Sequence, residues 1–392
     1  MSKVSIVRAS YAEALPKMRE LLEPLGGISA FVKPGQKVLL KANLLGSFPV
    51  SKAVTTNPAV VAAVAALVKE AGGIPFLGDS PGMGTLEQAV RTGGLEFLLH
   101  EGVQLADFEN EDVYERPENK ISKRLVLARA VKEADVIITL PKLKTHVQMT
   151  FTGALKNQYG LMVGVRKSNY HLRLRDNKLL GELIVEINEA AKINLAIMDG
   201  ITAMEGDGPS GGRPREVGVL LASSDLGAVD IAACEIIGID PLVVPTTDAA
   251  LRKGYCSKPS EIEYPILKPA DVFIPDFKKI TYNKDVIKML PLPGWFMRWL
   301  GSQWAPKPKV NPEKCVKCYR CRNGCPVKPP AIDPEKGPKV ASRCIRCYCC
   351  HEFCPADAII LKRSLLDRIF HFSALFNWLS RVFGKIVSRF SI

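Results

Sequence analysis

An α/β domain with a mainly parallel or mixed sheet, then a small cysteine-rich α+β domain and a C-terminal amphipathic helix, is the architecture this sequence predicts. Three observations predict it. Over residues 1–270, short apolar runs of strand length alternate with helix-period runs, the pattern of strand–helix–strand units. Eight of the eleven cysteines fall in two matching runs between residues 315 and 355. From residue 365 to residue 390, apolar side chains recur at steps of four and three, which is one face of a helix.

The expected division is 1–270 for the α/β domain, 271–305 for an aromatic-rich linker, 306–363 for the cysteine-rich domain and 364–392 for the tail helix. No basic segment followed by an apolar stretch opens the chain, so a secretory leader is not expected. Cysteines clustered at metal-ligand spacing fit a reducing compartment better than disulfides do. A cytoplasmic location is expected, with the inner face of a membrane as the place the tail would take it. The net charge of +13 is uneven: residues 306–392 hold 17 Lys and Arg against 6 Asp and Glu. That basic third suits an acidic protein, a lipid surface or an anion. Nucleic acid is not expected, since no recognition motif accompanies the charge.

In order, strands are expected at 3–9, 37–41, 74–77, 135–140, 193–198 and 217–222. Helices are expected at 12–25, 59–71, from 86, and at 128–134, 179–192, 226–237 and up to Lys253. Asn57-Pro58 is a cap with proline at the first helical position, and Gly72-Gly73 stops that helix. Residues 109–123 read as a loop or weak hairpin. Residues 141–146 read as a loop past a strand end, and 164–178 as a basic loop or lid.

The polar residues with chemistry to offer lie just after strands. Gly78-Asp79-Ser80-Pro81-Gly82 has three readings: a plain turn, an anion contact through backbone N–H groups and Ser80, or Asp79 as metal or acid/base residue. Lys142, Lys144 and His146, then Thr152, Lys156 and Asn157, follow a buried strand, where α/β sheets place their ligand crevice. With Lys41, Asn43 and Ser80 they form the expected anion site. His146, Lys142, Lys144 and Lys156 are the candidate proton donors. His146 has two other uses, as a metal ligand or as a core hydrogen-bonder. Asp199, Glu205 and Asp207 either hold a divalent cation or cap turns.

These pieces carry a resemblance. Lys41-Ala42-Asn43-Leu44, Thr55-Thr56-Asn57-Pro58, Gly78-Asp79-Ser80-Pro81-Gly82, Pro141-Lys142-Leu143-Lys144-Thr145-His146, Thr152-Gly153-Ala154-Leu155-Lys156-Asn157 and Glu205-Gly206-Asp207-Gly208-Pro209 recur in order. Over roughly residues 1–270 the chain resembles the uncharacterised family called DUF362. The resemblance implies an α/β fold and a site at these pieces, and members are often fused to a two-cluster ferredoxin. It names no substrate.

The cysteine runs are Cys315-x2-Cys318-x2-Cys321-x3-Cys325-Pro326 and Cys344-x2-Cys347-x2-Cys350-x3-Cys354-Pro355. This is the doubled pattern of bacterial two-cluster ferredoxins, in which the fourth cysteine of each run ligates the other cluster. Cluster I would take Cys315, Cys318, Cys321 and Cys354; cluster II would take Cys344, Cys347, Cys350 and Cys325. Two zinc sites are the alternative use of eight cysteines. Cys349 is surplus, and Cys234 and Cys256 read as ordinary buried or half-buried thiols. Ala331-Ile332 and Ala358-Ile359 follow their Cys-Pro pairs alike, the mark of an internal repeat. Lys317, Arg320, Arg322, Lys328, Arg343 and Arg346 flank the ligands. They raise the cluster potentials or dock an acidic donor.

The linker holds Trp295, Trp299 and Trp304, and the tail sets Phe and Trp opposite Arg368, Arg381, Lys385 and Arg389. A membrane surface, the protein's own domain or a second copy in a homodimer would each satisfy that tail. Three function classes follow. In the leading one, two [4Fe–4S] clusters pass electrons to an anionic small molecule in the α/β domain, as in a reductase or redox-coupled enzyme. Single-electron supply needs a one-electron acceptor or an additional organic redox cofactor, and no flavin or NAD fingerprint is visible. The second class is a non-catalytic electron carrier or assembly factor at a membrane or redox complex, exchanging with a donor or acceptor protein. The third is a metal- and phosphate-dependent transferase or ligase with structural clusters.

Overall fold

The computed structural model describes residues 1–164, 166–174, 176–280 and 305–362. The linker tryptophans and the tail helix lie outside the described residues. The chain forms two units, Met1–Lys279 and Ile280–Ile392. The first unit runs past residue 270 because Val272 and Phe277 are buried in its core.

The first unit opens with β1 (Ser2–Lys3), β2 (Ser5–Arg8), α1 (Ala14–Leu22), β3 (Lys37–Ala42), α2 (Pro58–Glu70) and β4 (Ile74–Gly78). It continues with α3 (Leu86–Thr92), α4 (Glu96–His100), β5 (Gln104–Leu105), β6 (Glu111–Glu115), β7 (Arg124–Ala128) and α5 (Ala130–Glu133). Then come β8 (Val136–Leu140), β9 (Lys142–His146), β10 (Thr150–Thr152), α6 (Ala154–Asn157), α7 (Arg166–Arg173) and α8 (Asn177–Ala191). It closes with β11 (Leu195–Glu205), β12 (Arg213–Ser223), α9 (Leu226–Ile236), α10 (Pro245–Lys253) and β13 (Ile262–Glu263).

Nine strands make one mixed sheet. The order β10-β9-β11-β8-β3-β4-β5 has β11, β8, β3, β4 and β5 mutually parallel, while β12 lies antiparallel to β11 and to β2. The parallel centre is buried on both faces, so Val38-Leu39-Leu40 and Val136-Ile137-Ile138 are unbroken apolar runs. Helix α2 starts where Asn57 accepts a hydrogen bond from the Ala59 amide at 2.9 Å with Pro58 at the first position. It buries Val60, Val61, Val64, Leu67 and Val68 on one side and stops at Gly72, whose φ of 78° suits glycine.

Three expectations change. Residues 141–146 are mostly strand: the chain runs on from β8 into β9, which pairs with β11 (Asp199↔Lys142, Met204↔Lys144) and with β10. Its polar composition hid a period-two strand whose alternate residues Lys142, Lys144 and His146 are all buried. Residues 164–178 contain α7, a helix too polar to show an apolar stripe. Arg166 holds it to Glu111 through two 2.7 Å bonds, and Lys167 holds it to Ser80. Strand β11 continues to Glu205, so Asp199 sits inside a strand rather than at its end.

In the second unit β14 (Lys307–Val310) pairs antiparallel with β15 (Ile359–Lys362), and α11 (Arg320–Asn323) and α12 (Cys349–Glu352) are single turns. The repeat is conformational. Lys317 and Tyr319 adopt left-handed φ values of 51° and 57°, and Arg346 and Tyr348 match them at 56° and 60°. Cys321, Cys325, Cys350 and Cys354 are buried with Val310, Ala331, Ile332, Ala358 and Ile359.

Candidate metal centres and a buried polar network

Each cysteine run bends around its second cysteine through the paired left-handed residues, which turns the sulfurs inward. Two cavities result. One is lined by Cys315, Cys318, Cys321 and Cys354. The other is lined by Cys325, Cys344, Cys347 and Cys350. Their remaining walls are mostly apolar: Val316, Ala358 and Ile359 in the first, Val327, Ile332 and Val340 in the second. The fourth cysteine of each run accepts a backbone N–H, from Ala331 to Cys325 Sγ at 3.4 Å and from Ala358 to Cys354 Sγ at 3.2 Å. Such donors favour a sulfur carrying charge. Burial pushes the free Cys321 thiol up to about 11 and raises Cys344 too, so thiolates here need the positive charge of bound iron.

These cavities fit cubane clusters. Among the described residues no three His, Cys, Asp or Glu converge on a single ion. Zinc needs four sulfurs about 2.3 Å from one point, whereas a cubane engages each cysteine through a different iron, so the sulfurs stand apart around a cage.

In the α/β unit the expected site residues meet at the C-terminal ends of β3 and β4 and along β9. They are buried and bonded to one another. Lys41 Nζ lies 2.9 Å from Asp79 Oδ1 and donates to the carbonyls of Ala42 and Asn157 at 3.0 Å. Lys142 Nζ donates to Asp199 Oδ2 at 2.8 Å and to the Tyr11 hydroxyl at 2.9 Å. Lys144 Nζ donates to Asn43 Oδ1 at 2.8 Å and to the Val54 carbonyl at 2.7 Å. Asn43 in turn donates to Asn157 Oδ1, and Asn157 donates to Thr139 Oγ1 and the Lys41 carbonyl. Burial pulls the Lys41 ammonium down from its ordinary value, against the attraction of Asp79. For Lys142 burial also lowers, but Asp199 and Tyr11 together outweigh it and the net direction is up. Asp79 and Asp199 thus answer Lys41 and Lys142, and the network locks the loops leaving β3 and β4 to the middle of β11.

The glycines of Thr152-Gly153-Ala154-Leu155-Lys156-Asn157 and its continuation are steric. A Cβ on Gly160 would lie 2.1 Å from Asp79 Oδ1, and one on Gly153 would lie 2.0 Å from Asp230 Oδ1. Asp230, fully buried in α9, accepts the Ala154 and Leu155 amides at the start of α6. Burial pushes it up to about 7 despite those donors. Its pKa in the folded chain exceeds the unfolded value near 4, so the folded state binds the proton more tightly. Its contribution is full below pH 4 and is lost as pH rises through 7, a change of about 4 kcal/mol at most. His171, which burial beside Lys156 and Lys167 holds neutral down to about 3, tilts stability the other way. Asp230→Asn is expected to flatten the fall in stability between pH 5 and 7. Urea unfolding of both proteins at three pH values checks this, and His171 cancels in the difference.

His146 is 2% exposed, and its Nδ1 accepts the Gln148 and Met149 amides at 3.1 and 3.3 Å, so that nitrogen carries no proton. Lys156 is half-buried, while Thr152 and Ser80 are buried, Ser80 bonded to Lys167. Asp199 and Glu205, expected with Asp207 to hold a cation or cap turns, have protein partners. Asp199 and Glu205 lie six residues apart on β11, whose register shifts between Asp199 and Met204. Asp199 serves Lys142, Tyr11 and the Asn57 amide, Glu205 accepts the Lys278 amide, and Asp207 is exposed. Tyr11 and Thr56 are members of the network that sequence reasoning missed. Thr56 accepts the Asn43 amide and donates to the Leu140 carbonyl, and its only signal was its place in a helix-cap motif.

The sequence profile of the domain of unknown function DUF362 matches residues 38–235. The chain belongs to the DUF362 family. A thylakoid-associated protein of Synechocystis sp. is 40% identical over 283 residues, which cover 71% of this chain and 88% of that protein. A 4Fe-4S dicluster domain matches residues 307–355, the stretch that forms the two cavities. This DUF362 protein therefore carries two [4Fe–4S] clusters and has an iron–sulfur redox role. Among solved structures, the lactate racemase apoprotein of Thermoanaerobacterium thermosaccharolyticum is similar at 14% identity and a TM-score of 0.39, over 60% of this chain and 56% of that one. A Thermotoga maritima protein is similar at 14% identity and a TM-score of 0.34, over 56% and 57%. This chain spans little more than half of either.

Proposed function

We propose that this DUF362 protein is a reductase or redox-coupled enzyme whose clusters supply electrons one at a time to an anion held by the α/β domain. Cys315, Cys318, Cys321 and Cys354 ligate cluster I; Cys344, Cys347, Cys350 and Cys325 ligate cluster II. The observation that carries this reading is the pair of cavities, each lined by three cysteines of one run and the fourth of the other. When bound, the clusters accept and release single electrons. The chain's own residues hold the sulfurs charged through the Ala331 and Ala358 amides and keep water away with apolar walls.

The acceptor's place is proposed at the C-terminal ends of β3 and β4, the edge where α/β sheets bind ligands. The ammoniums of Lys41, Lys142 and Lys144 there are already engaged within the protein. Ser80, Lys156 and Lys167 are the groups proposed to meet the anion. Anaerobic purification, with iron, sulfide and bound-small-molecule analysis, tests the reading. About eight irons and a released anion or organic redox species are expected. A cluster-loaded protein that retains no small molecule and binds no small anion would contradict it.

A carrier role at a membrane is the second reading, favoured by the thylakoid association in the name of the relative. No helix among the described residues is long and apolar enough to cross a membrane. Co-sedimentation with membranes, abolished by deleting residues 365–392, is its expected signature.

A further inference from the structure

The two cysteine runs share a backbone but not a cover. Around the second cysteine of each run the φ values agree within a few degrees, yet every paired side chain differs in environment. In the second run Arg346 donates to the Ala305 carbonyl and the Tyr348 hydroxyl to the Pro306 carbonyl, both at 3.1 Å. Ile345 and Cys347 are half-buried, and Tyr348 and Cys349 are 2% and 1% exposed. Among the described residues no equivalent hydrogen bond covers the second cysteine of the first run. Val316 is 67% exposed, and Lys317 and Cys318 are exposed. Tyr319, the counterpart of Tyr348, turns its hydroxyl to Glu335 at 2.7 Å.

The open edge has a charge pattern as well. Arg322 lies 3.9 Å from Asp333 and 3.7 Å from Glu335, so these two acids near the first cavity are answered locally. Lys314 and Lys317 are exposed and have no ion-pair partner among the described residues. They flank an exposed valine beside an exposed cysteine of the cluster cavity. A lone exposed valine is unremarkable in itself. Here it stands next to a redox centre, rimmed by positive charge that has no ion-pair partner among the described residues, where the first run lacks the cover of the second.

We propose that the edge formed by Lys314, Val316, Lys317 and Cys318 is the docking face for an acidic one-electron carrier protein. Val316 seats in an apolar spot of the carrier and the two lysines meet its carboxylates. One electron passes between the carrier and cluster I, oxidising one centre and reducing the other, with no bond made or broken. The covered second set then exchanges within the protein. This proposal rests on the redox reading above, and the experiment separates the two.

The probe is an acidic plant-type [2Fe–2S] ferredoxin, titrated calorimetrically into the cluster-loaded full chain at low salt. Saturable binding that weakens with ionic strength is expected. Lys314→Glu combined with Lys317→Glu is expected to weaken it on the order of tenfold or more. Val316→Asp should weaken it too, while Lys339→Glu, a charge reversal outside these four residues, leaves it unchanged. Reduced methyl viologen, too small to need docking, should reduce the clusters of all variants equally fast. Binding indifferent to the double reversal would overturn the proposal. So would a protein that binds phosphatidylglycerol vesicles through these lysines but not the ferredoxin. Clusters that viologen cannot reduce would instead bring down the redox reading, and this proposal with it.

Discussion

Asp199→Ala is expected to destabilise the α/β unit by about 3–5 kcal/mol, the cost of breaking a buried ion pair from one side. Lys142 is 1% exposed and Asp199 fully buried, so the ammonium left behind has no water to turn to. Its remaining hydrogen bond is to the Tyr11 hydroxyl at 2.9 Å. The Asn57 amide also loses its acceptor, loosening the cap of α2. Combining Asp199→Ala with Lys142→Met removes the orphaned charge and should recover much of the loss, which marks the effect as electrostatic rather than steric. Urea unfolding followed by far-ultraviolet circular dichroism measures both. A single-variant loss below about 1 kcal/mol would mean that the pair is solvated and the network not closed.

The second large effect concerns the cysteines. Cys354→Ser is expected to cost one cluster, lowering iron from about eight to about four per chain, although Cys354 lies at the far end of the domain's sequence from Cys315. Cys354 is 8% exposed and packs with Cys321, Ala358 and Ile359, so loss of iron there also empties part of the small core. The remaining cluster should become more labile. Metal analysis after anaerobic reconstitution, with electron paramagnetic resonance of the reduced protein, reads both consequences. Eight irons retained would contradict a ligand role for Cys354.

Much of this was legible in the chain. The order β3–α2–β4 follows from an apolar run, an Asn-Pro start and a Gly-Gly stop, all local signals. The cysteine runs were legible because metal ligation fixes spacing. Strand β9 was not, since Lys142-Leu143-Lys144-Thr145-His146 looks solvated until its partners are known. Those partners are remote: Tyr11 reaches Asp199 across 188 residues of sequence. For the same reason the pairing of Asp199 with Lys142 was not legible. Helix α7 stayed hidden because its anchors, Glu111 and Ser80, come from a hairpin and a loop rather than from an apolar stripe.

The measurement that bears most directly on the crossed clusters is the iron content and spectrum of one double variant. Cys325→Ser with Cys344→Ser removes two ligands of cluster II and none of cluster I. About four irons and the unperturbed signal of one intact [4Fe–4S] cluster are expected, whereas Cys325→Ser with Cys315→Ser should damage both. The opposite outcome, with the Cys315 pair sparing one cluster and the Cys344 pair sparing neither, would show that each run ligates its own cluster and would contradict the account.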